Sequence, residues 1–163
     1  MERPLIIRDA VESDFPEIQK IYARYVEATT VSLEEIVPDV VELLKRWKTS
    51  FEFLVAEIDG KIAGYAYAFT YRPRSAYRFT VEESVYISKD YQGLGLGRKL
   101  LEELIKRCRE KGLRQMLAVI AGADNAASIE FHKKLGFRQS GVLEKFGFKF
   151  GGWVDTVLMQ KEL

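Results

Sequence analysis

The sequence predicts an α/β protein in which helices cover the faces of one mixed β-sheet. Three observations lead there. The hydrophobic period switches repeatedly between two and about 3.6 residues along the chain. An Asp59-Gly60 pair divides two strand-like runs. A glycine-rich stretch, "YQGLGLGRKL", joins a β-branched and aromatic run to a long amphipathic one.

Each element follows from local pattern. "PLIIRDA" reads as a first strand. Ser13 is expected to cap the helix that follows, with Asp14 and Glu17 in its first turn. Phe15, Ile18, Ile21, Tyr22 and Tyr25 recur at helical spacing. A second helix is expected from near Pro38, turning Val40, Val41, Leu43, Leu44 and Trp47 inward. "FEFLVAEI" and "KIAGYAYAFT" are strands joined by the Asp-Gly turn. "YRPRSAY" is a loop by its proline and charges, and "RFTVEESVYIS" is the next strand, with Arg78 inside it. From about Leu94 to Lys111 the period is helical, placing Leu100, Leu101, Leu104, Ile105 and Cys108 on one face before Gly112 ends the helix. "RQMLAVIA" has the near-continuous apolar run of a buried strand. "NAASIEFHKKLG" is a short helix stopped by Gly136, and strands near Phe137–Ser140 and Trp153–Met159 close the order β α α β β β α β α β β.

Composition excludes several classes. The chain has 163 residues, enough for one domain spanning 1–163 with a sizeable core. A formal net charge of +1 supplies no basic field for nucleic acid. One cysteine excludes an internal disulfide framework and fits a reducing compartment, so a cytoplasmic location is expected. One cysteine and one histidine cannot assemble a Cys/His zinc site, and no metal is expected. No apolar run suggests a signal peptide or a membrane span.

Three phosphate-binding patterns compete for the glycine stretch. A P-loop requires Lys-Ser or Lys-Thr after its last glycine, which is missing. The dinucleotide pattern G-x-G-x-x-G, counted from Gly93, meets Arg98 where its third glycine belongs. The third pattern, Q/R-x-x-G-x-G/A between a strand and an amphipathic helix, is met by Gln92, Gly95 and Gly97. It resembles the pyrophosphate loop of the GCN5-related N-acetyltransferases. Free N–H groups at a helix start, small residues and Arg98 all suit a diphosphate.

The resemblance covers nearly the whole chain. "TVEESVYI", "AVIAG", "NAASI", "FHKKLGF" and "GFKFGGWVDTVLMQ" are similar to the phosphinothricin and methionine-sulfoximine N-acetyltransferase branch. It implies the acetyltransferase fold, acetyl-CoA as co-substrate, a small amino-acid acceptor and a homodimer. It implies cofactor contacts at Val85, Tyr86 and Ile87, along Gln92, Gly93, Leu94, Gly95, Leu96, Gly97 and Arg98, and at Asn125 and Ser128. One departure is Leu33, where the branch usually has phenylalanine, which would alter an acceptor pocket lined by that segment.

Attack of an amine on a thioester needs a base for the ammonium form and a proton for the departing thiolate. Glu82 and Glu83 are adjacent on a strand and should point to opposite faces, so only one readily meets the cleft. Alone, such a pair reads as a solvated face. The resemblance implies Glu82 as the base, leaving Glu83 and Ser84 near the acceptor or Glu83 in a salt bridge. His132 stands where many relatives carry a tyrosine acid, and imidazole can serve as acid or base. Cys108 reads as core. Arg72 and Arg74 can grip a carboxylate with forked hydrogen bonds, whereas Arg78 could do this or stay structural. Acetylation of a protein N-terminus or a polyamine, or acyl-CoA sensing without catalysis, are the alternatives.

Overall fold

In the computed structural model, which describes residues 4–122 and 125–163, the chain runs β1 (Leu5–Asp9), α1 (Phe15–Ala28), α2 (Val40–Thr49), β2 (Glu52–Ile58), β3 (Lys61–Thr70), β4 (Thr80–Ile87), α3 (Leu96–Glu110), β5 (Gln115–Ala121), α4 (Ala126–Lys134), β6 (Arg138–Lys149) and β7 (Gly152–Glu162). All seven strands share one sheet in the order β1-β2-β3-β4-β5-β7-β6. β4 and β5 alone are parallel; the remaining neighbours are antiparallel. The mixed sheet and the predicted element order are both present.

Two cores lie on the two faces. On one, Leu100, Leu101, Leu104 and Cys108 of α3 pack on Leu54, Ala66 and Met116. Each leucine so buried contributes about 1.5–3 kcal/mol. On the other, Phe15, Ile18 and Val26 of α1 and Leu43 of α2 cover Phe53, Val55 and Tyr65. Alternation along β4 therefore divides its side chains: Val81, Val85 and Ile87 belong to the α3 face, Tyr86 to the α1 face. The burial of Cys108 pushes its thiol up to about 12, with Glu52 adding to the effect, so it is core and not a nucleophile.

Several boundaries differ from expectation for local reasons. Ser13 lies inside a single 3-10 turn, Glu12–Asp14, and does not cap α1. Asp14 is the N-cap residue, yet its side chain makes no cap bond to α1: its carboxylate accepts from Val11 N at the start of the 3-10 turn at 2.8 Å and is gripped by both terminal nitrogens of Arg8. Val41 points to solvent, since the apolar stripe of α2 continues through Val40, Leu44 and Trp47. Arg78 ends a short 3-10 turn over Ser75–Tyr77 and precedes β4. α3 starts at Leu96, two residues later than expected. β6 runs for 12 residues, far beyond Ser140, because its exposed outer position gives it no apolar alternation.

Candidate active site

The parallel ladder between β4 and β5 runs from Thr80↔Gln115 to Glu83↔Ala118 and stops, although both strands continue. Beyond that point they diverge. A cavity of about 240 Å³ fills the gap, lined by residues 83–87 on one side and Val119 to Ala121 on the other. Val119, expected to be buried, is partly open because it faces this space. Gly97, Asn125, Ser128, Phe131 and His132 complete its rim from α3 and α4.

The glycine loop sits at one mouth of the gap. Gly93 and Gly95 have φ of 78° and 75°, and Gly95 is the N-cap of α3. That left-handed backbone is what requires glycine there, since no described atom lies within 4 Å of the Cβ either would carry. The open space above the first turn meets the unpaired N–H groups and positive dipole end of a 15-residue helix. An anionic diphosphate fits this cradle. Leu94 is exposed beside it, while Leu96 turns into the core, so the loop offers backbone more than side chains. The Arg98 guanidinium lies along α3, with Nε donating to Glu102 at 2.7 Å. Gln92 donates its amide to the Tyr25 hydroxyl at 3.4 Å.

Tyr25 is a site residue that sequence reasoning missed. Its hydroxyl donates to Ile87 O at 2.7 Å and lies 3.2 Å from Ile87 N, holding the end of β4 inside the cavity. Its helical spacing among apolar residues marked it only as core. Val31 and Phe131 also line the cavity without having been singled out.

Where the β4–β5 ladder ends, Glu83 and His132 line the cavity. Glu83 is 7% exposed and its Oε1 lies 2.5 Å from His132 Nε2. His132 Nδ1 lies 2.7 Å from Ser128 O, which can only accept, so Nδ1 carries a proton. One further proton is then shared between Nε2 and Glu83. Burial is the largest influence and works against a charged ring, but the bond and charge of Glu83 together with the Ser128 carbonyl outweigh it and raise the His132 pKa. The ring is placed by the end of α4, where Phe137 N bonds to His132 O and Gly136 N to Lys133 O. Gly136, at φ 88°, makes that helix stop possible.

Glu82 pairs with Phe69 across the β3–β4 ladder on the α1 face and does not line the cavity. Burial, with the charge of Glu83 added, pushes its carboxyl up to about 7. Ser84 alternates to the same face as Glu82 and Tyr86, and this residue also lines the cavity. The adjacent glutamates thus serve opposite faces of the sheet at the point where the ladder opens. Arg72 and Arg74 are exposed on the loop joining β3 to β4 and do not line the cavity. Arg72 rests over the Tyr71 ring at 5.2 Å. Among the described residues no group of three or more His, Cys, Asp or Glu could hold a metal ion, and no helix is long and apolar enough to cross a membrane.

Known proteins match this chain in both sequence and fold. The acetyltransferase (GNAT) family matches residues 16–137. A phosphinothricin N-acetyltransferase of Alcaligenes faecalis is 50% identical over 161 residues, covering 96% of this chain and 82% of that one. An L-methionine sulfoximine/L-methionine sulfone acetyltransferase of Pseudomonas paraeruginosa is 41% identical, covering 96% and 94%. The crystal structure of a GNAT superfamily phosphinothricin acetyltransferase from Sinorhizobium meliloti in complex with AcCoA superposes with a TM-score of 0.93 at 41% identity, covering 98% and 88%.

Proposed function

The chain belongs to the acetyltransferase (GNAT) family, and on that premise we propose that it acetylates the α-amino group of a small amino acid such as phosphinothricin, methionine sulfoximine or methionine sulfone. The observation that carries the reading is the divergence of β4 from β5. It opens one channel with an anion cradle at its mouth and proton-handling groups where the ladder ends.

Acetyl-CoA supplies the thioester, and the chain positions and moves protons around it. The first turn of α3 and the Gln92–Arg98 loop hold the diphosphate; residues 85–87, Asn125 and Ser128 line the arm. Glu82, with its carboxyl near neutrality, accepts a proton from the acceptor ammonium. The Glu83–His132 pair holds a proton on the cofactor side of the sheet and passes it to the departing thiolate. Both His132 nitrogens are engaged, so this transfer runs through the carboxyl of Glu83 or follows release of that bond. Ser84 supports the acceptor face. Arg72 and Arg74 stand on the loop that enters β4 two residues before Glu82 and grip the acceptor carboxylate.

The same reading takes residues 1–163 as one catalytic domain, working in the cytoplasm as a homodimer. Support for the dimer is an outer strand, β6, whose neighbourhood exposes Phe146, Phe148 and Trp153. A panel of amino-acid analogues, a polyamine and N-terminal peptides, followed by free thiol release from acetyl-CoA, tests the substrate class. Turnover should favour the carboxylate-bearing amino acids. Preference for the polyamine or peptides would overturn that assignment, and binding without turnover of any acceptor would make the protein a sensor.

A further inference from the structure

The hydroxyl of Tyr25 is fully committed. It donates to Ile87 O at 2.7 Å and accepts from Ile87 N at 3.2 Å and from the Gln92 amide at 3.4 Å. A phenol has one proton to give and two lone pairs to offer, so these three bonds exhaust it. The ring that carries the hydroxyl is held as well, packed at 5.0 Å on Tyr86 within the aromatic layer between α1 and the sheet.

Its partners belong to two different parts of the cleft. Ile87 ends β4 and lines the cavity. β5 has already diverged there, and Tyr25, itself a lining residue, takes the two backbone groups that a neighbouring strand would otherwise pair. From the other side β3 approaches closely, since a Cβ on Gly64 would lie 2.7 Å from Ile87 Cδ1 and 2.9 Å from Tyr86 O. The end of β4 is thus clamped between β3 and Tyr25. Gln92 opens the glycine loop, beyond the 3-10 turn Lys89–Tyr91, and its exposed amide folds back onto the same oxygen.

We propose that Tyr25 couples the two halves of the coenzyme site: its hydroxyl ties the arm-lining end of β4 to the diphosphate loop, so that filling one half strengthens binding at the other. This rests on the coenzyme placement above and deepens it. A ligand half that settles Gln92 against the hydroxyl also settles Ile87, and the second half then has less ordering left to impose. The coupling is reciprocal. At 3.4 Å the Gln92 bond is long, which sets the effect at the low end of ordinary couplings, about fivefold. Tyr25 is a positioning residue: it acts through Ile87 and Gln92 and transfers no proton.

Calorimetry with the coenzyme cut in two tests it. S-acetyl-pantetheine supplies the arm and thioester, and 3′-phospho-ADP supplies the diphosphate. In wild type, saturation with either should tighten the other about fivefold. Tyr25→Phe keeps the ring on Tyr86 and removes only the oxygen, so the two halves should bind independently. Gln92→Ala leaves both bonds to Ile87 and cuts only the link to the loop. It should abolish the coupling too, and it decides the matter if Tyr25→Phe does not fold. A purely structural tyrosine predicts otherwise: a lower melting temperature, both halves bound more weakly in parallel, and the coupling kept. That result would overturn the proposal, as would no coupling in wild type or its persistence in Gln92→Ala. Failure of 3′-phospho-ADP to displace acetyl-CoA would instead remove the diphosphate placement beneath it.

Discussion

Glu82→Gln isolates the base. The substitution keeps size and hydrogen-bonding shape but removes the titrating proton. The wild-type carboxyl moves from 4.5 to about 7 on folding, mainly through burial. That gap corresponds to at most about 3.4 kcal/mol favouring the protonated form in the folded state. Between those two values the folded protein binds more protons than the unfolded chain, so stability falls as pH rises from 4.5 through 7. The contribution is fully present below 4.5 and lost above 7. The glutamine variant should lack this slope and melt at a higher temperature than wild type at pH 8, with the advantage disappearing near pH 4.5. Catalysis should move oppositely. Wild-type kcat/KM should rise with pH to a bend near 7 as the carboxylate forms, while the variant loses that bend and about 10²-fold in turnover. Loss at pH 7 should shrink at higher pH, where more free amine is present. Paired pH-rate and thermal-denaturation series measure both. A variant with a wild-type pH-rate profile would refute the assignment and direct attention to Glu83.

Further outcomes follow from the rest of the cleft. Gly95→Asp sets a carboxylate beside the diphosphate cradle at a φ of 75°, and calorimetry should show acetyl-CoA affinity reduced more than tenfold, about 1.4 kcal/mol; unchanged affinity in a folded variant would remove the cradle. His132→Ala should lower turnover more than acetyl-CoA affinity, and it should destabilise the protein by leaving Glu83 buried without its partner. The stability of that pair is present below the ordinary histidine value of 6.5 and is lost as pH rises through the raised one. Arg74→Ala should raise the acceptor KM ten- to a hundredfold, about 1.5–3 kcal/mol, without moving that for acetyl-CoA, and Arg72→Ala should behave likewise. Equal use of an acceptor and its amide by wild type would defeat the carboxylate grip.

The parts of this site legible in sequence are those set by local chemistry. Gly95 and Gly97 announced a helix start shaped for an anion, and the period change after them located α3. Strand alternation separated Glu82 from Glu83, but assigning each a face required knowing that α3 covers one side of β4 and α1 the other. His132 was visible as a motif residue; its bond to Glu83 joins positions 49 residues apart and has no local signature. Tyr25 was hidden for a similar reason, because its ring belongs to the apolar stripe of α1 while its hydroxyl reaches Ile87. The start of β6 was legible near Phe137–Ser140, but its length beyond Ser140 was not, since a strand exposed along most of its course shows no buried face in its pattern.

The central claim is direct transfer from the thioester to the acceptor nitrogen, with no acetylated protein in between. Intact-protein mass after incubation with acetyl-CoA alone, followed by product mass after adding methionine sulfoximine, tests it most directly. The account predicts unmodified protein throughout and N-acetylated amino acid formed in equal amount with free thiol. An acetyl group retained on the chain and then lost to the acceptor, or thiol released without acetylated amino acid, would contradict it.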